Sequence, residues 1–377
     1  MHHRDTWVEI DLDRISDNVS MIKRHSGFDH LFAVVKANAY GHGDVEVARA
    51  ALAAGADMLS VAFLDEALFL RRAIKAAPIL VMGAIRPCDL AVAAEHDIHV
   101  TAHDLQWIES VLNYQGKAVN VHLKIDTGMH RLGMTDADSV QHACAMLDTN
   151  PALLRTGIFT HFATADGETR QGYEAQLAKV TELTSKIDLA DFKLVHLSNS
   201  AALLRFGRQS VANAGRLGIS MYGLPPSHAF ALPFELKQAF SLHSRIVQVK
   251  ELQAGDAVSY GATFMADKPM RIGILPIGYA DGWLRYHQGR QVEINGKRYS
   301  LVGRICMDQC MVQIDERVHL GDRVDLINDS LSVEDAARDL NTIGYEIVCS
   351  ISDRVPRVYK QGGVVVSARN DRFRPVA

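Results

Sequence analysis

The chain has 377 residues, 48% of them hydrophobic and 22% charged, with a formal net charge of −4 at neutral pH. That length suits two domains with sizeable cores, and the charge excludes an electrostatic case for nucleic acid or for a basic membrane-facing surface. No stretch is long and apolar enough to span a bilayer, the start MHHRDTWVEIDLDR lacks an apolar signal core, and Cys88, Cys144, Cys306, Cys310 and Cys349 show no CxxC spacing, so structural thiols in a reducing cytoplasm are expected, with no metal cluster.

In chain order, Trp7–Ile10 alternates like a strand and is expected to pair with a later domain despite its distance in sequence. The apolar run Leu31–Val35 reads as a strand buried on both faces, and Lys36 closes it. The glycines of the following loop and Asp44 then turn the chain into a helix, VEVARAALAAGA. Strands are expected at Phe32–Lys36, Met58–Ala62, Ile79–Met82, Ile98–Thr101, Val119–Ile125, Thr156–His161, Leu194–Leu197 and near Val211–Ala214. Helical stretches such as Leu64–Ala76, Asp104–Tyr114 and Arg170–Ile187 fall between them. Eight strands, each followed by a helix, predict an α/β fold, a (β/α)₈ TIM barrel; an open doubly wound sheet would want a GxGxxG turn, which Gly41-His42-Gly43 does not supply.

After roughly Pro233 the helical spacing fades. Short alternating segments follow at Ser244–Val249, Met270–Leu275, Gln291–Ile294, Met311–Ile314 and Val324–Leu326, with one helix, Val333–Leu340, capped by Ser332. The expected division is residues 1–232 for the barrel and 233–377 for a mostly β C-terminal domain.

Lys36 is the most informative residue. A lysine at the carboxyl end of a buried parallel strand stands where barrel enzymes keep their chemistry, and partial desolvation there favours the neutral, nucleophilic amine. On residue type alone, a lysine snorkelling from a strand end is the better reading. The surrounding letters, LFAVVKANAYGHGD, reverse that preference. They resemble the pyridoxal 5′-phosphate lysine motif of bacterial alanine racemases, in the same strand–loop–helix context and near the amino terminus.

The resemblance runs from Trp7 to Arg357. It implies that Lys36 holds the cofactor covalently and that Tyr40 contacts its phosphate. It makes Arg131, in HLKIDTGMHRLG, an arginine that orients substrate near the cofactor's phenolic oxygen, and Lys124 a match to a lysine often carbamylated in the family. An ordinary rim lysine is the alternative at Lys124. His161, in THFATAD, matches a histidine beside the cofactor ring; Asn199 and Ser200, in HLSNSAA, and Gly218 and Ile219, in NAGRLGISMYG, match its phosphate environment. Arg216 occupies the family's position opposite the pyridine nitrogen, where most enzymes using this cofactor place a carboxylate.

In the second domain, Tyr260 matches the second catalytic base, serving the face of the Cα opposite Lys36, with His161 and Arg216 the natural groups to support its ionisation. In the family that tyrosine reaches the partner's site, so a homodimer with shared active sites is implied. Met307 matches a residue whose backbone amide meets the substrate carboxylate, while Asp166, Tyr279, Arg285 and Arg304 match the entrance. One departure stands out: Asp353 lies where many members carry a tyrosine that contacts phosphate and narrows the pocket. A roomier, more polar pocket mouth is therefore expected, with serine accepted beside alanine.

These matches imply a small amino-acid substrate, interconversion of L- and D-alanine by two-base proton transfer, and D-alanine for peptidoglycan. The alternatives are a serine or broader small-amino-acid racemase, a pyridoxal-phosphate-dependent decarboxylase, which gives no reason for Tyr260 opposite Lys36, and a non-catalytic carrier of the cofactor, which needs no second domain.

Overall fold

The structure is a computed structural model, and it describes residues 3–370. The chain divides into two compact units: one takes the residues up to Arg14, Tyr40–Gly43 and the chain from Gln238 onward; the other takes Ile15–Ala39 and Asp44–Lys237.

The second of these is a closed barrel of eight parallel strands. Numbering strands along the whole chain, with β1 at Thr6–Asp11, the staves are β2 (His30–Val34), β3 (Met58–Val61), β4 (Ile79–Val81), β5 (Ile98–Ala102), β6 (Val119–Lys124), β7 (Leu153–Phe159), β8 (Leu194–Ser198) and β9 (Ala214–Leu217). The strands are fully buried over most of their length, which is why they read as continuous apolar runs rather than as alternation. Phe32, Met58, Leu80, Leu194 and Ala214 form one cluster of their core.

The reading from sequence needs two corrections here. The last stave is β9, not Val211–Ala214, because its letters Ala-Gly-Arg-Leu hide a strand behind a glycine and a buried arginine. The helix Leu12–Ser26, an amphipathic stretch with Ile15, Val19 and Ile22 buried, was not expected and leads into β2.

The other unit is built on a ten-stranded sheet in the order β11-β14-β17-β16-β15-β18-β10-β1-β19-β20. Its further strands are β10 (Phe240–Arg245), β11 (Gln248–Leu252), β14 (Met270–Leu275), β15 (Gln291–Ile294), β16 (Lys297–Val302), β17 (Cys310–Ile314), β18 (Arg323–Ile327), β19 (Arg357–Gln361) and β20 (Val364–Arg369), while β12 (Ala257–Val258) and β13 (Phe264–Met265) form a separate ribbon. The early strand β1 lies between β10, antiparallel, and β19, parallel. The expected strand Ser244–Val249 is in fact the end of β10 and the start of β11, parted at Ile246–Val247. A second helix, Gly344–Ser350, follows the expected one, whose Ser332 side chain accepts from the Asp335 N–H as an N-cap. Tyr40–Gly43 belongs to this unit: Gly41, at φ +79°, lies where a Cβ would come within 2.2 Å of the Val348 carbonyl oxygen, so only glycine fits.

Candidate active site

Lys36, two residues past β2, opens an unusual turn. Ala37, Asn38, Ala39 and Tyr40 have φ of 53°, 53°, 51° and 52°, four successive side-chain-bearing residues in the left-handed region. Each costs about 1–2 kcal/mol there, so surrounding contacts must hold the turn. The Glu66 carboxylate does part of this, accepting the Ala37 N–H at 2.6 Å with one oxygen and the Ala62 N–H at 2.8 Å with the other. Ala39 N–H donates to the Val35 carbonyl at 3.0 Å, and the Asn38 side chain accepts from Asp44 N–H at 3.1 Å. Lys36, half-buried, is thereby fixed at the mouth of the turn.

Around the carboxyl ends of the barrel strands the structure gathers several of the expected residues. Lys124 is the last residue of β6, His161 lies two residues past β7, Ser200 follows β8, and Gly218 and Ile219 follow β9. Burial first, then the charges of Arg216, Lys124, Arg131 and Lys36, hold the His161 imidazole well below its ordinary value. Lys124 is likewise pulled well down by burial and by Arg216, against a smaller upward pull from Asp126, with Arg131 again lowering it. Its ammonium lies 4.9 Å from the centre of the Phe159 ring. Four basic side chains thus act on one histidine, Lys124 among them drawn toward the neutral amine, a setting for an anionic ligand.

Arg216 is fully enclosed. Burial brings its guanidinium down to about 9, still a cation at neutral pH. Nη2 donates to the Thr160 carbonyl at 2.6 Å and the Leu197 carbonyl at 3.2 Å, while Nη1 donates to the His196 carbonyl and, at 3.0 Å, to His196 Nδ1. Both terminal nitrogens are therefore committed to the protein, and Nε–H has no acceptor among the described residues.

That arginine also fixes a chain of histidines that the sequence reading missed. An arginine only donates, so His196 Nδ1 must accept and its Nε2 must carry the proton. His196 Nε2 then donates to His122 Nδ1 at 2.9 Å, and His122 Nε2 to His99 Nδ1 at 3.0 Å. All three rings share one neutral tautomer. Burial first lowers all three from the ordinary imidazole value; neighbouring charges add to this at His122 and His196, while at His99, lowered to about 4, Asp97 pulls the other way. The available signal was a histidine inside each of three otherwise apolar runs, Ile-His99-Val, Val-His122-Leu and Val-His196-Leu.

At the end of β8, Ser200 Oγ accepts the Gly218 N–H at 2.8 Å, leaving its own proton to donate, and the Ile219 N–H has no acceptor among the described residues. Asn199 is engaged with backbone at both ends of its amide: Oδ1 caps a helix by accepting from Ala202 N–H at 3.1 Å, and Nδ2 donates to the Phe162 carbonyl at 3.0 Å. Arg131 is exposed, its backbone N–H held by Asp126 at 3.0 Å, and Asp166 is half-buried.

The remaining expected residues lie in the β unit. Tyr260 is 71% exposed, in a turn held by Ser259 Oγ, which donates to the Arg304 carbonyl at 2.6 Å. An open cleft of about 660 Å³ lies beside it, lined in part by Val258, Ser259, Cys306, Gln309 and Met311. The Met307 carbonyl accepts from Ala280 N–H at 3.1 Å, while its own N–H has no acceptor among the described residues. Tyr279 and Arg285 are exposed; Tyr40 is buried, 6.0 Å between ring centres from Tyr345, and burial pushes its phenol up. Asp353 is exposed, 3.9 Å from the buried Arg357.

Known proteins resemble the chain over nearly its whole length. Residues 10–226 match the family model described as alanine racemase, N-terminal domain, and residues 239–359 match that described as alanine racemase, C-terminal domain. Alanine racemase 1 of Bacillus subtilis is 47% identical over 376 residues, covering 98% of this chain and 96% of that one, and the alanine racemase of Geobacillus stearothermophilus is 48% identical over 377 residues, covering 98% and 97%. Among solved structures, alanine racemase from Bacillus anthracis with bound L-Ala-P superposes with a TM-score of 0.93 at 43% identity, covering 98% of each chain. A histidine racemase from Leuconostoc mesenteroides subsp. sake does so with a TM-score of 0.90 at 28% identity, covering 96% and 99%.

Proposed function

The chain belongs to the alanine racemase family, and from that membership we propose how its residues interconvert L- and D-alanine. It is an isomerase acting on alanine, in a family whose general role is D-alanine supply for peptidoglycan. The observation that carries the assignment of residues is the placing of Lys36, Lys124, His161 and Arg216 at the carboxyl ends of the barrel strands, with both terminal nitrogens of Arg216 engaged and its Nε–H unclaimed.

This donor set fits pyridoxal 5′-phosphate: a primary amine, a cation with one unclaimed N–H, and a hydroxyl and an amide placed for an anion. When bound, that group supplies an electron sink that acidifies the α-proton of an amino acid. Lys36 would hold it covalently. Ser200 Oγ and the Ile219 amide would hold its phosphate, together with Tyr40, while Gly218, whose N–H is taken by Ser200, lines the same place and Asn199 supports them through backbone. Arg216, a cation rather than a carboxylate, would face the pyridine nitrogen and disfavour its protonation, which would restrain side reactions and favour simple return of the proton.

Lys36 and Tyr260 take and return the proton at Cα from opposite faces, Tyr260 being supplied by the partner of a homodimer. Arg131 and the Met307 amide orient the substrate carboxylate, with Asp166, Tyr279, Arg285 and Arg304 at the entrance. Carbamylation of Lys124 turns a buried amine among cations into an anion that pairs with Arg131. Among the described residues no helix is long and apolar enough to cross a membrane, and the cytoplasm is the proposed compartment.

Racemisation of L-alanine by the purified protein, with an absorbance band near ~420 nm that Lys36→Ala abolishes, is the test. A band that survives the substitution refutes the lysine assignment. A second reading concerns specificity: the exposed carboxylate of Asp353 in place of the family's tyrosine supports acceptance of serine beside alanine.

A further inference from the structure

The segment Thr160–Ala163, which carries His161, is held almost wholly by side chains from elsewhere in the barrel. Its three successive carbonyls accept from Arg216 at 2.6 Å (Thr160), Gln176 at 3.2 Å (His161) and Asn199 at 3.0 Å (Phe162), and the Ala163 N–H donates to Gln176 Oε1 at 2.7 Å. Gln176 stands on the helix Gln171–Leu183, 94% buried. Because Oε1 must accept from Ala163, the amide orientation is fixed, and Nε2 offers its second hydrogen to Thr127 Oγ1 at 3.1 Å.

Thr127 belongs to the loop after β6 that carries Arg131, and its hydroxyl also meets the Thr160 hydroxyl at 2.8 Å. The neighbouring Asp126 carboxylate takes the N–H groups of Gly128, Met129, His130 and Arg131, at 2.9, 2.9, 3.1 and 3.0 Å, making that loop one rigid piece. Gln176, Thr127, Thr160 and Asp126 are all buried. One amide therefore touches both loops, with every donor and acceptor in use.

We propose that Gln176 is a positioning residue that locks the loop bearing His161 to the loop bearing Arg131, so that the group beside the cofactor ring and the group orienting the substrate keep one register. The proposal rests on the assignment of those two residues given above. Gln176 itself touches neither reacting atoms nor substrate. It acts through three hydrogen bonds, and a 1 Å slip in such a register is enough to slow a reaction severely.

The test uses the enzyme loaded with pyridoxal phosphate and reads both steady-state racemisation and amide hydrogen exchange. Gln176→Leu removes all three bonds; Gln176→Glu keeps the acceptor for Ala163 and removes both donors. Both variants are expected to lower kcat/KM for alanine about tenfold or more, with KM rising through Arg131. Exchange should quicken at residues 128–131 in both, while the Ala163 amide loses protection only in Gln176→Leu. Thr127→Val, which removes a single link, carries the same test should the Leu variant not fold, and it should loosen residues 128–131 without exposing Ala163.

Kinetics within about twofold of wild type, or unchanged exchange at both loops, overturn the proposal. So does a loss of activity matched by uniformly faster exchange across the barrel, which marks a merely structural residue. If the wild type itself fails to racemise alanine, the functional assignment falls, while the exchange pattern still decides whether Gln176 couples the loops.

Discussion

Asp353 and Glu66 illustrate how far single residues can be read. Asp353 was legible as a departure from a motif, and its consequence is chemical. Its carboxylate, exposed and 3.9 Å from Arg357, cannot close around a methyl group as a tyrosine ring does. Asp353→Tyr is expected to lower the ratio of L-serine to L-alanine racemisation by about tenfold, within the range that one pocket contact commonly supplies; an unchanged ratio removes Asp353 from specificity. Glu66 was invisible to sequence reading because its partners, Ala37 N–H and Ala62 N–H, come from two different strand ends. Glu66→Ala leaves those donors without their charged acceptor and is expected to lower stability by about 1–3 kcal/mol, read as a shifted denaturant midpoint. Activity should fall with it, since the same carboxylate steadies the turn next to Lys36.

At the scale of elements, the apolar staves of the barrel were legible because burial on both faces leaves a run that needs no partner to be recognised. Strand β9 was not, since the cost of burying its Arg216 is offset by carbonyls from other strands, information that no local pattern carries. The histidine chain across β5, β6 and β8 was missed for the same reason. It makes two predictions. Nitrogen shifts of labelled imidazoles should report the Nε2–H tautomer at His99, His122 and His196; a proton on Nδ1 of any of them contradicts the deduced polarity.

The second prediction concerns acid. All three rings have folded values below the unfolded one of about 6.5, so below that pH the unfolded chain binds more protons and stability falls as pH drops. His99, lowered to about 4, contributes on the order of 3 kcal/mol of that loss by pH 4. Urea midpoints that do not decline between about pH 7 and pH 5 refute this account.

For the molecule as a whole, the reading of a barrel joined to a β-rich partner came from the change in periodicity after the eighth strand. The alternation of β1 marked it as a strand for the later sheet, but its place there was beyond local pattern, because register between β10 and β19 depends on partners more than two hundred residues away. Sharing of active sites between subunits has a decisive assay. Lys36→Ala and Tyr260→Phe proteins, each inactive alone, are expected to regain up to about a quarter of wild-type activity when unfolded and refolded together, because half of the mixed dimers' sites keep both groups intact. No recovery despite confirmed mixed dimers places both bases within one subunit.

The stretch from Ala37 to Tyr40 has one more implication. Its backbone signs are those an enantiomeric residue adopts at rest, so the two alanines there are wrong-handed for their own conformation. A family that erases the chirality of free alanine here carries two alanines of its own, beside Lys36, whose handedness opposes the backbone they adopt. Semisynthetic protein with D-alanine at position 39 should unfold at higher denaturant concentration than its natural counterpart. Its rate of racemisation, set against that gain in stability, would show whether strain in the turn bears on the role proposed for Lys36.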